Sequence, residues 1–215
     1  MNTLANHVVL LGDSVFDNAA YIEGGPDVVT QLAKRMPAGW RASLLAADGS
    51  VMACILDQLA RLPADTSHLI VSIGGNDALG YSSMLEAASH SVADTLLKLA
   101  DIREQFQANY VDMLETVLGR GLPTAVCTIY DPRYPNLVER RVASTGLMVI
   151  NDCRIRASVK RGTPLIDLRA VCDEDEDFAN PIEPSVQGGW RIAGAITALL
   201  LHHNFRRARS EVFTG

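Results

Sequence analysis

Five short apolar runs alternate with longer stretches of helical periodicity, and this alternation restricts the fold more than any other feature of the chain. The runs 8–11, 42–46, 68–73, 124–130 and 164–168 read as buried strands. Helical periodicity covers 27–36, 51–62, 84–120, 137–161 and 186–207, with 84–120 long enough for two helices. Strands separated by helices are joined by crossovers, so they pair in parallel and are covered on both faces. The expected architecture is therefore α/β: one domain over residues 1–215, with a parallel sheet of about five strands between two helical layers. No repeat or linker interrupts it. A chain of 215 residues, 48% hydrophobic and 20% charged, has material for one sizeable core.

Charge and cysteine content exclude several functions. A net charge of −6 leaves no basic stripe for neutralising phosphates, so no nucleic-acid partner is expected. The cluster Arg206, Arg207, Arg209 reads as a solvated helix end, and the run Asp173–Asp177 as a solvated acidic turn. Cys54, Cys127, Cys153 and Cys172 are widely spaced, which gives neither a zinc site nor a disulfide framework. No apolar stretch approaches membrane-spanning length, and the N-terminal run lacks the features of a signal segment. The expectation is a cytoplasmic protein without a membrane partner; the oligomeric state is not legible.

The residues with chemistry sit where strands end. The first strand runs into Gly12-Asp13-Ser14, the second is followed by Asp48-Gly49-Ser50, and the third by Gly74-Gly75-Asn76-Asp77. In a parallel sheet these turns lie along one edge, where open α/β folds place their sites. Serine becomes a nucleophile when a base takes its proton and donors receive the oxyanion. Ser14 could attack, while the Ser14 and Gly49 backbone N–H groups and the Asn76 amide could form a three-donor oxyanion hole.

On these residues the chain resembles the SGNH (GDSL-type) hydrolases, whose serine, glycine, asparagine and histidine come from separate blocks. Ser14, Gly49 and Asn76 match the first three blocks, and the resemblance extends from about residue 7 to about residue 195. It implies a flavodoxin-like three-layer α/β/α fold and hydrolysis of a small ester or thioester through an acyl-serine, without cofactor or metal. The fourth block departs from the family. Where Asp-x-x-His-Pro is usual, this chain has Asn180-Pro181-Ile182-Glu183-Pro184. Glu183 thus stands in the place of the basic histidine and Asn180 in that of its aspartate. Burial would raise the carboxylate pKa toward that of a useful base. On this reading Glu183 accepts the serine proton and Asn180 orients the carboxylate through a neutral hydrogen bond.

The histidines offer little alternative. His7 and His68 start their strands, roughly 15–20 Å from the catalytic edge. His202 and His203 lie a helix length beyond Glu183. His90 escapes this argument but reads as a surface residue. Around the nucleophile, Asp13, Asp17, Asn18, Tyr130 and Arg133 are candidate substrate contacts, Arg133 for an anionic group. Competing sites fail on spacing: the chain has no Asp-x-Asp after the first strand, no P-loop, no GxGxxG and no GxSxG elbow. Two alternatives keep the same residues, namely a ligand-binding protein that has lost turnover and an acyltransferase using the same acyl-serine.

Overall fold

The structure, a computed structural model, describes residues 6–214. Six strands form one parallel sheet: β1 (Asn6–Gly12), β2 (Trp40–Leu44), β3 (His68–Ser72), β4 (Thr124–Cys127), β5 (Leu165–Ile166) and β6 (Val212–Phe213). Their order is β2-β1-β3-β4-β5-β6. The helices are α1 (Val28–Arg35), α2 (Ile55–Ala60), α3 (Gly75–Leu79), α4 (Val92–Leu118), α5 (Leu137–Arg161), α6 (Leu168–Val171) and α7 (Val186–His202).

Alternation along β1 divides the core in two. Val8 and Leu10 pack against Val28 and Leu32 of α1 and Ile192 and Ile196 of α7. Val9 and Leu11 point the other way, to Ile55 and Leu59 of α2, Phe106 and Leu114 of α4, and Ile150 of α5. Both faces of β1 are buried, so Val8–Leu11 is continuously apolar, as central parallel strands are. The result is a three-layer α/β/α arrangement. The order reverses at β1, which has β2 on one side and β3 on the other, so the residues after β1 lie at the switch point where such sheets bind ligands.

Two helices outreach the sheet. The 27 residues of α4 span about 40 Å, whereas the 4 residues of β4 span about 13 Å. The side chain of Ser91 caps α4 by accepting the Asp94 N–H, which separates it from a short 3-10 turn at Ser82–Glu86. The stretch 84–120 is thus one long helix preceded by a turn.

Three further expectations change. β6 adds a sixth strand, whose two residues are too short for a periodic signal. The last helix stops at His202, so Arg206, Arg207 and Arg209 lie beyond it and do not form a helix end. Asp177 in the acidic run is fully buried, where it accepts the Glu174 N–H and faces Arg191 at 3.1 Å. Gly188 in the first turn of α7 permits this packing, because a Cβ there would stand 2.1 Å from the Asp177 carbonyl oxygen.

Candidate active site

The strand β1 ends in a backbone that only glycine supports. Gly12 has φ +135°, and a Cβ would fall 1.7 Å from the Ser72 carbonyl oxygen of β3. The Gln58 side chain clasps this residue from α2, accepting its N–H and donating to its carbonyl, both at 2.8 Å. One helical turn follows, with the Asp13 carbonyl accepting the Phe16 and Asp17 N–H groups at 3.1 Å. Ser14 is carried on this turn.

The Ser14 hydroxyl donates to Glu183 Oε1 at 3.0 Å. Glu183 is 6% exposed, and its second oxygen, Oε2, is buried with no hydrogen-bond partner among the described residues. Burial pushes the Glu183 pKa up to about 7; the Ser14 hydrogen bond opposes this and the Asp48 charge adds to it. Asp13, beside Ser14, is also pushed up to about 7 by burial, against the Val15 N–H and the Arg154 charge.

A tight turn presents Glu183. The Ala179 N–H donates to the Glu183 carbonyl at 2.9 Å, and Phe178 pairs with Pro184 as an antiparallel bridge. Asn180 acts here in a way the sequence reading did not anticipate. Its side-chain oxygen accepts the Ile182 and Glu183 N–H groups, both at 3.0 Å, and does not meet the carboxylate. Asn180 therefore shapes the backbone of the turn, as asparagine does in an Asx turn.

Most of the expected substrate contacts also serve this turn. The Tyr130 hydroxyl donates to the Ile182 carbonyl at 2.6 Å. The Asn18 amide donates to the Pro184 carbonyl at 3.1 Å and accepts the Val28 N–H. The Arg133 N–H donates to the Pro181 carbonyl, while its guanidinium lies over Phe178 and 3.4 Å from Asp175. Asp17 accepts the Asp48 N–H at 2.9 Å and braces the loop that carries Gly49. Asn18, Asp17 and Arg133 are thus structural in this geometry. Asp13 and Tyr130, by contrast, line the cavity that holds Ser14 and Glu183.

A second set of bonds ties together the loops that carry the oxyanion candidates, of which Ser14 and Asn76 line the cavity and Gly49 does not. The Ala47 N–H donates to the Gly12 carbonyl at 3.1 Å, which draws the Gly49 loop to the end of β1. Asn76 Nδ2 donates to the Ser50 carbonyl at 2.9 Å, which occupies one of its two amide hydrogens and leaves the other. Asp77 accepts the Met52 N–H at 3.0 Å. Gly49 is left-handed at φ +73° and exposed. Among the described residues neither the Ser14 nor the Gly49 N–H has an acceptor.

Sequence reasoning missed Gln58, Asp77 as a latch, and Arg154. Arg154 is a buried guanidinium that donates to the Ile73 and Cys127 carbonyls, under the ends of β3 and β4. With Asn151, which exchanges two hydrogen bonds with the Ile129 backbone, it forms a polar interruption in the apolar stripe of α5. That interruption was the available signal.

No histidine lines the cavity: His7 bonds Asp65 and Ser43, His203 bonds Glu211, and His90 and His202 are exposed. Among the described residues no group of three potential metal ligands occurs. No helix there is long and apolar enough to cross a membrane.

The sequence matches no family model and no curated protein. Solved structures do match. An extracellular lipase from Streptomyces rimosus is 18% identical, with 90% of this chain and 100% of that chain covered at a TM-score of 0.62. A lipase/acylhydrolase from Enterococcus faecalis is 19% identical, covering 91% and 95% at 0.61. A candidate SGNH hydrolase from Slackia heliotrinireducens is 13% identical, covering 91% and 99% at 0.60. The chain has the SGNH hydrolase fold.

Proposed function

We propose that this protein is a serine ester hydrolase in which Glu183 replaces the usual histidine as general base. The observation that carries the reading is the 3.0 Å hydrogen bond from Ser14 to a buried carboxylate that has no other partner among the described residues. Similarity in fold to lipases and acylhydrolases supports ester hydrolysis as the reaction class.

Ser14 Oγ attacks the ester carbonyl carbon as its proton passes to Glu183 Oε1. The oxyanion is received by the Ser14 and Gly49 N–H groups and by the Asn76 amide hydrogen not spent on Ser50. Glu183 then returns the proton to the departing alkoxide, leaving an acyl-serine. Water attacks this ester carbonyl and gives a proton to Glu183; the acyl C–Oγ bond then breaks, Glu183 returns the proton to Ser14 Oγ, and the carboxylic acid leaves. Burial gives Glu183 the pKa this cycle needs: near 7 it is basic enough to draw a serine proton and acidic enough to give it up. A neutral Asn180 shapes the turn without adding a charge that would raise this pKa further.

Reaction with p-nitrophenyl acetate, followed by intact-mass spectrometry, tests the reading against a binding protein without turnover. The expected result is p-nitrophenolate release and an acetyl adduct mapped to Ser14, both lost in Ser14→Ala. Absence of both from the wild type would overturn it.

A further inference from the structure

The cavity over Ser14 has a volume of about 720 Å³, far more than an acetyl group needs. It extends from Ser14 to the N-terminal parts of α4 and α5, which line it with Leu99 and Ile102 and with Val142 and Leu147. Deeper in the fold, the same stripes fill the core through Phe106 and Ile150. Above the sheet they meet no strand, and the core pattern continues as the wall of a void.

One residue of this wall has no other explanation. Gly146 lies in the middle of α5 with ordinary helical backbone, where glycine is the poorest helix former apart from proline. No close approach demands it, because a Cβ there would meet nothing within 4 Å. Its neighbour on the stripe, Ala143, is also small. Both line the same cavity as Leu99 and Ile102, and neither has a side chain that would fill it.

The charge of the lining narrows the occupant. Asp13, Glu86, Glu139 and Glu183 line the cavity and no lysine or arginine does, so an anionic group is disfavoured. An occupant must also present a carbonyl to Ser14 and continue into an apolar space.

The geometry points to an acyl pocket between α4 and α5 that takes uncharged esters of medium-length fatty acids, with Gly146 setting the length admitted. This rests on the Ser14–Glu183 reading and adds the substrate class. A carbohydrate acetate would leave the apolar space empty.

The test is kcat/KM for p-nitrophenyl acetate, butyrate, hexanoate and octanoate, on wild type and Gly146→Leu, with Ser14 labelling by a fluorophosphonate as a separate readout. In the wild type, kcat/KM is expected to rise about fourfold per added methylene. In Gly146→Leu the octanoate-to-acetate ratio is expected to fall at least about tenfold. Thermal melting verifies that the variant folds, and the wild-type series stands without it. Labelling of Ser14 with kcat/KM flat or falling along the series would overturn the acyl pocket and leave the hydrolase reading intact. A normal rise that Gly146→Leu does not alter would remove Gly146 from the pocket wall. No hydrolysis and no labelling would overturn the underlying reading, and the pocket with it.

Discussion

At the scale of single residues, the proposed base is a carboxylate whose pKa is raised by its surroundings. Glu183 is raised to about 7 because it is buried, and among the described residues Oε2 has no partner that would stabilise its charge. Asn180 supports it from the backbone side, and this can be tested. In Asn180→Asp an oxygen remains to accept the Ile182 and Glu183 N–H groups, while a like charge is added nearby. The acidic limb of the pH–rate profile should move upward, with the alkaline plateau kept within about threefold. If the amide instead donated to the carboxylate, the plateau would collapse in this variant. Asn76→Ala removes one oxyanion donor and should lower kcat by about 10²- to 10³-fold. An unchanged kcat would exclude Asn76 from the hole.

At the scale of elements, three loops are tied to one point by bonds that involve no substrate. Gln58 of α2 holds both backbone groups of Gly12, and Asp77 of α3 holds the Met52 N–H. Gln58→Ala would strand the buried Gly12 N–H, remove one of the two donors to its carbonyl, which keeps the Ala47 N–H, and leave a cavity behind. A loss of about 2–3 kcal/mol is expected in chemical denaturation, and a loss under 1 kcal/mol would contradict the clasp. Much of this scale was legible beforehand. The turns that carry Ser14, Gly49 and Asn76 could be placed at one sheet edge because each follows a strand, and a parallel sheet aligns strand ends. Roles that depend on which way a side chain turns were not legible. Asn180, Asn18 and Arg133 carry groups suited to substrate or to backbone, and only the folded turn at 178–184 distinguishes the two. The two-residue β6 offers no periodicity, and the burial of Asp177 depends on the close approach of Gly188.

At the scale of the whole molecule, the site weakens the fold that holds it. Glu183 and Asp13 both have pKa values raised to about 7, from ordinary carboxylate values of 4.5 and 3.8. Between those limits the native state binds more protons than the unfolded chain, so stability falls as pH rises from about 4 to about 7. Below about 4 both states are protonated and the penalty vanishes; above about 7 it is complete. Glu183→Gln removes its share. The variant should melt several degrees above the wild type at pH 8, a gain on the order of 2–3 kcal/mol, and level with it at pH 4. An equal difference at both pH values would mean that ionisation of Glu183 is not the cause. The same opposition of site and fold is seen in Gly146, where a helix gives up propensity to keep a cavity open.

The most direct test of the central claim is the rate at which a fluorophosphonate modifies Ser14 between pH 4 and 9, in wild type and in Glu183→Gln. The wild-type rate should rise through one ionisation near 7 and fall by about 10³-fold in the variant. A variant that reacts at the wild-type rate would show that the proton goes elsewhere and that Glu183 is not the base.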